Sequence, residues 1–124
     1  MNSVLRETVK QLHGCAILTL PSDVDDELLH SLSCQFYSYV IREDLQGVVF
    51  DFSNLRTLDC RLAEALFGFA KAVRTLGPQV EICSICPGVA SSLALLDFDA
   101  GEIVISRSLT ASLDAIHSRS GLER

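Results

Sequence analysis

The chain reads as an α/β domain built on a mainly parallel β-sheet, and three features predict it. Short runs rich in β-branched residues alternate with longer stretches whose apolar residues recur every three or four positions. One of those runs, Gly47-Val48-Val49-Phe50-Asp51-Phe52, is almost continuously apolar, as a strand covered on both faces must be. The element order β-β-α-β-α-β-α-β-α strings strand–helix–strand units together, and such units build parallel sheets through right-handed crossovers. The expectation is about five strands, an N-terminal hairpin and four helices. At 124 residues the chain fits a single domain, residues 1–124, with its core over about 4–118. No internal repeat, linker or low-complexity segment interrupts it.

Each element has its own signal. Residues 4–12 have loose β character and lead into His13-Gly14, a tight turn. Cys15-Ala16-Ile17-Leu18-Thr19-Leu20 then forms the second arm of a hairpin. Pro21 stops that strand. Ser22 or Asp23 is placed to cap the next helix, with Asp25, Asp26 and Glu27 near its partly positive end. Leu28, Leu29, Leu32, Phe36, Tyr39 and Val40 make one apolar face, and the helix should run to about Asp44. Tyr37 and Tyr39 read as half-buried helix residues. After the central strand, residues 53–58 connect to a second helix capped by Asp59. Its buried stripe is Leu62, Leu66, Phe69 and Val73, flanked by Ala63 and Ala70, while Arg61, Glu64, Gly68, Lys71 and Thr75 fall opposite. Gly77-Pro78 ends it. Val80-Glu81-Ile82-Cys83 is the next strand, and Pro87-Gly88 opens a short helix through Val89, Leu93 and Leu96. Ile103-Val104-Ile105 is a last strand. Ser108 caps a C-terminal helix carrying Leu109, Leu113 and Ile116, and residues 121–124 read as a frayed tail.

Composition narrows the function. The net charge of −6 comes with no window of concentrated Lys or Arg; acidic residues cluster instead at Asp23, Asp25, Asp26 and Glu27, and at Asp97, Asp99 and Glu102. Nucleic-acid binders show the opposite pattern, so DNA and RNA are disfavoured as partners. No apolar run approaches the roughly 18 residues of a membrane span, and residues 1–10 carry Arg6, Glu7 and Lys10 without a hydrophobic signal region. The expectation is a cytoplasmic protein without direct membrane insertion. Five cysteines, an odd number, fit reduced thiols. Cys83-Ser84-Ile85-Cys86 has CxxC spacing, but no second ligand pair accompanies it, and its first cysteine ends a strand where a redox motif would open a helix. It reads as two small apolar residues, and neither a metal nor a cofactor is expected. No phosphate-binding glycine loop follows a strand, and no nucleophile elbow occurs. An enzyme is disfavoured, although a Cys/His pair assembled in space, such as Cys60 with a histidine, stays open.

The stretch 47–99 resembles a STAS domain, the family of anti-sigma-factor antagonists, stressosome scaffold subunits and sulfate-transporter tails. The matching segments are Val48-Val49-Phe50-Asp51-Phe52-Ser53, Thr57-Leu58-Asp59, Leu76-Gly77-Pro78-Gln79-Val80, Ile85-Cys86-Pro87-Gly88-Val89-Ala90 and Leu95-Leu96-Asp97-Phe98-Asp99. The isoleucine-x-proline segment followed by valine-alanine resembles the stressosome branch. The lead-in over 15–26 resembles that complex's small single-domain subunit.

The resemblance implies a STAS-like sheet and a regulatory protein that docks others, a serine/threonine switch kinase or further STAS-domain proteins, as a homo- or hetero-oligomer. In that family a Ser or Thr at or just after the position following the aspartate is phosphorylated, and a helix N-terminus suits a phosphate. Here Cys60 occupies the hydroxyl position and Arg61 the next. A second switch position found in some scaffold subunits aligns with Cys83. The ordinary phosphoswitch should therefore be absent, while Ser53, Thr57 and Ser84 remain as nearby hydroxyls. The resemblance places the partner-binding surface at Asp59, Cys60, Arg61, Glu64 and Ser84. Two alternatives stand beside this reading. One is an accessory subunit of an ABC-type lipid transporter. The other is a thiol redox switch at Cys60, whose pKa a helix start and Arg61 would lower and Asp59 would raise.

Overall fold

In the computed structural model, which describes residues 3–95, 101 and 103–122, the chain opens with helix α1 (Ser3–Thr8) and passes directly into strand β1 (Val9–Leu12). The expected extended chain over residues 4–12 therefore holds only for its second half. Helix α1 packs against helix α2 (Asp26–Glu43), and this docking outweighs the weak preference of a six-residue segment. Among the described residues there are five helices where four were expected.

His13 and Gly14 both take positive φ, 51° and 81°, as a two-residue hairpin turn between right-twisted strands requires. They join β1 to antiparallel β2 (Cys15–Thr19), with Val9 opposite Leu18 and Leu12 opposite Cys15. Strands β3 (Gly47–Asp51), β4 (Gln79–Cys83) and β5 (Val104–Ser106) follow, each parallel to the one before. The spatial order is thus the sequence order. The crossovers carry α2, α3 (Cys60–Thr75) and α4 (Pro87–Leu95).

Side chains alternate across the sheet. Ala16, Leu18, Val48, Phe50, Val80 and Ile82 form the main core with Phe36, Leu66 and Val73. Phe69 of α3 sits at its centre, 5.1 Å from the ring of Phe50 and 5.8 Å from that of Phe36, both edge-on. Cys15, Val49 and Cys83 belong to a second cluster under Ile116 of helix α5 (Leu109–Leu122), with Leu109 and Leu113 alongside. Cover on both faces is what the apolar run at 47–52 called for. Glu81 is fully buried in β4. Its carboxylate accepts the Ser106 hydroxyl at 2.6 Å and pairs with the Arg119 guanidinium at 2.5 Å, while Arg119 Nε donates to Gln79 Oε1. A buried charge needs such partners.

Boundaries differ from expectation where tertiary contacts decide them. Asp25, not Ser22 or Asp23, caps α2, accepting the Leu28 N–H at 2.8 Å. Val24 N–H donates to the Pro21 carbonyl, so the residues before it form a turn that buries Val24. Asp44 ends the helix in the left-handed region. Strand β4 begins at Gln79, and β5 lies one residue later than predicted because Ile103 enters the core and Ser106 reaches Glu81. Ser108 caps α5 as expected, 3.2 Å from the Ala111 nitrogen. That helix runs through Gly121 to Leu122, so the predicted frayed tail is helical there. Tyr37 is half-buried as read, whereas Tyr39 is buried and stacks on Phe36. The readings at Leu96, Asp97, Asp99, Glu102 and residues 123–124 lie outside the described residues.

Candidate functional site

The sequential parallel order places the starts of α2, α3 and α4 at one rim, where β2, β3 and β4 end. The loops after β3 and β4 lie side by side there, because Asp51 is in register with Cys83 and the Phe52 N–H donates to the Cys83 carbonyl at 3.0 Å. The first loop is built from local bonds. Asp51 Oδ1 accepts the Ser53 N–H at 2.9 Å, and the Leu55 N–H donates to the Phe52 carbonyl. Leu55 and Leu58 are buried anchors, while Ser53, Thr57 and Asp59 stay exposed between and after them.

Asp59 is the helix cap that its position predicts. Its backbone is extended, its Oδ1 accepts the Leu62 N–H at 2.8 Å, and its carbonyl accepts that of Ala63 at 2.9 Å. Cys60, the first residue of α3, is exposed, and its thiol donates to Glu64 Oε1 at 3.8 Å. Arg61 reaches across to α2, pairing with Asp26 at 2.8 Å. Both partners of that bridge are substantially exposed, so it contributes little stability. The cation that sequence placed beside the Cys60 thiol is therefore spent elsewhere, and a carboxylate faces the sulfur instead.

Ser84 sits at the start of the neighbouring loop with a φ of 62°, the left-handed region that is rare outside glycine. Cys83, which the sequence resemblance aligned with a second switch position, is fully buried, and burial pushes its thiol up, with the Ser84 hydrogen bond opposing. Of Cys60 and Cys83, only Cys60 stands at the surface. Cys86 is half-buried and all five cysteines are free, so the CxxC spacing does not make a disulfide. No group of three or more possible metal ligands occurs among the described residues.

Two clefts flank the rim. One, of about 250 Å³, runs between α2 and α3 beside the Arg61–Asp26 bridge and presents His30, Ser33 and Tyr37. The other, of about 430 Å³, lies between α4 and β5 and is lined by Ile85, Leu93, Ile105 and Arg107. A Cys/His pair does assemble in space, but elsewhere and with other residues. His117 Nε2 of α5 lies 3.9 Å from Cys15 Sγ and 3.1 Å from the His13 carbonyl. Cys15 is fully buried and burial pushes its thiol up, so the pair ties α5 to the hairpin turn and exposes no nucleophile. Nothing in the sequence could have joined residues so far apart.

The family model of the STAS domain matches residues 7–112. No curated protein matches the chain. Among solved structures, a serine-to-glutamate variant of RsbS from Moorella thermoacetica superposes with a TM-score of 0.80 at 17% identity, covering 91% of this chain and 98% of that one. A chain from the structure titled as the molecular architecture of the stressosome, "a signal integration and transduction hub", gives 0.69 at 20% identity, covering 90% of this chain and 97% of its own. The murine anion transporter Slc26a9 gives 0.69 at 13% identity, covering 88% of this chain but 18% of the transporter. With the family model matching residues 7–112, most of its length, this chain belongs to the STAS domain family.

Proposed function

We propose that this chain is a non-catalytic docking module of the anti-sigma-factor-antagonist and stressosome kind. It binds a serine/threonine switch kinase or other STAS-domain proteins and works in the cytoplasm as part of an oligomer. The observation that carries this reading is the exposed start of α3, where Asp59, Cys60, Arg61 and Glu64 lie together on a rim beside the Ser84 loop. The likeness to RsbS and to a stressosome chain along nearly their whole length supports it. With a thiol at the hydroxyl position, the module does not take phosphate from a serine/threonine kinase at that site. Its affinity is set by the fixed charge and shape of the rim. No described helix is long and apolar enough to cross a membrane, which fits a partner reached from solution.

The test is capture of a purified switch kinase, or of a STAS-domain scaffold protein, from the same host. Asp59→Ala and Arg61→Glu should each weaken binding by about tenfold, a loss of roughly 1.4 kcal/mol. Unchanged affinity in both variants would remove this rim from consideration. The second reading is an accessory subunit of an ABC-type lipid transporter; a similar fold within the anion transporter Slc26a9 is consistent with a domain of this kind working beside a transporter. Retention of a membrane transporter's ATPase subunit, with no affinity for kinase or scaffold, would select it.

A further inference from the structure

We propose that the Cys86 thiol is a clasp that positions the start of α3, making Cys86 a positioning residue for the docking rim; the inference deepens the docking reading and rests on it for its functional meaning. Cys86 Sγ lies 3.1 Å from the Leu55 carbonyl oxygen and 3.6 Å from that of Arg56. Those two carbonyls belong to the loop between β3 and α3, whereas Cys86 belongs to the loop between β4 and α4. Among the described residues this thiol is the hydrogen-bond donor that the Leu55 carbonyl finds, and a half-buried carbonyl needs one. A thiol is a weak donor, so its contribution is placement more than strength.

The surrounding backbone is arranged for this contact. Ser84, at a φ of 62°, turns the chain between the end of β4 and Cys86. The Cys86 carbonyl accepts the Ala90 N–H at 2.9 Å, which fixes Cys86 to the first turn of α4. Gly88 comes so close to the other loop that a Cβ there would stand 2.7 Å from the Arg56 oxygen. The two loops therefore meet backbone to backbone, and side-chain sulfur closes the joint. Leu55 and Leu58 anchor the same loop from beneath, and Asp59, immediately after Leu58, caps α3. Whatever moves the Ser84 loop is thus transmitted to the Asp59 cap, and the two halves of the rim behave as one surface.

Amide hydrogen exchange of the free protein tests this without any partner. The Leu62 and Ala63 amides, both bonded to Asp59, report on the start of α3. The Gln46 and Gln79 amides, bonded to the Gly14 and Gln46 carbonyls, report on the opposite end of the sheet. Cys86→Ala should speed exchange at Leu62 and Ala63 by about tenfold and leave Gln46 and Gln79 within about twofold. Cys86→Ser, which keeps a donor at nearly the same place, should stay close to the parent at all four. Unchanged exchange at Leu62 and Ala63 in Cys86→Ala, equal acceleration at both ends of the sheet, or a serine variant that behaves like alanine would each overturn the clasp. Exchange that follows Cys86 while Asp59→Ala and Arg61→Glu leave partner capture untouched would instead sink the docking reading and leave the clasp standing.

Discussion

Asp59 serves α3 twice, with its carboxylate on the Leu62 N–H and its carbonyl on that of Ala63. Only the side-chain bond depends on residue type, so Asp59→Ala should cost about 1 kcal/mol of stability and Asp59→Asn much less, both read by urea unfolding. The pair separates cap from charge, since a binding loss in the asparagine variant would belong to the missing carboxylate. The buried thiols make a second prediction. Burial raises Cys15 and Cys83 above the ordinary thiol value of 9.0. The unfolded chain therefore sheds those protons first as pH rises, and folded-state stability is full below about pH 9 and falls above it. Tyr37 and Tyr39 are shifted the same way, again by burial first, from the higher value of 10.0. Urea unfolding at about pH 8 and about pH 9.5 should thus isolate the thiols. A Cys15→Ala/Cys83→Ala variant should be less stable at both but show a flatter decline.

Helices α2 and α3 were legible because their apolar residues repeat with the helical period against a charged face. Asp59 was legible as a cap because Gly77-Pro78 and the apolar stripe framed the helix it opens. Helix α1 and the Asp25 cap were not, since α1 depends on packing against α2 and the cap on burial of Val24. The pairing of Arg61 with Asp26 was hidden for the same reason: it joins two helices distant in sequence. Strand β4 does alternate, with Val80 and Ile82 on one face and Glu81 and Cys83 on the other, but nothing in the sequence named α5 as the element that covers Cys83. Helix α5 shows most clearly what sequence conceals. Beside Leu109, Leu113 and Ile116, which pack on Cys15, Val49 and Cys83, it is held by the bridge from Arg119 to the buried Glu81. Arg119→Ala should destabilise the protein by about 3 kcal/mol, the lower end for breaking a buried pair because the guanidinium is partly exposed. Arg119→Lys should recover part of that loss, and amide exchange should quicken in α5 before it does in α3.

Three of the four strand pairings are parallel and bridge a helical crossover, so most of the sheet forms from contacts distant in sequence, an arrangement that folds slowly for its size. That topology also gathers three helix starts on one rim, which is how residues from 26 to 88 come together there. The rim itself was readable from the strand-to-helix junctions, whereas the joint between its loops required the coordinates. Helix α5 has a further consequence. It is made after all five strands, yet among the described residues it is the helix that lays apolar side chains over Cys15, Val49 and Cys83. A growing chain emerging from the ribosome would thus present a finished front and a greasy, thiol-bearing back until α5 arrives. During synthesis, that back is where chaperones and oxidants would find this protein vulnerable.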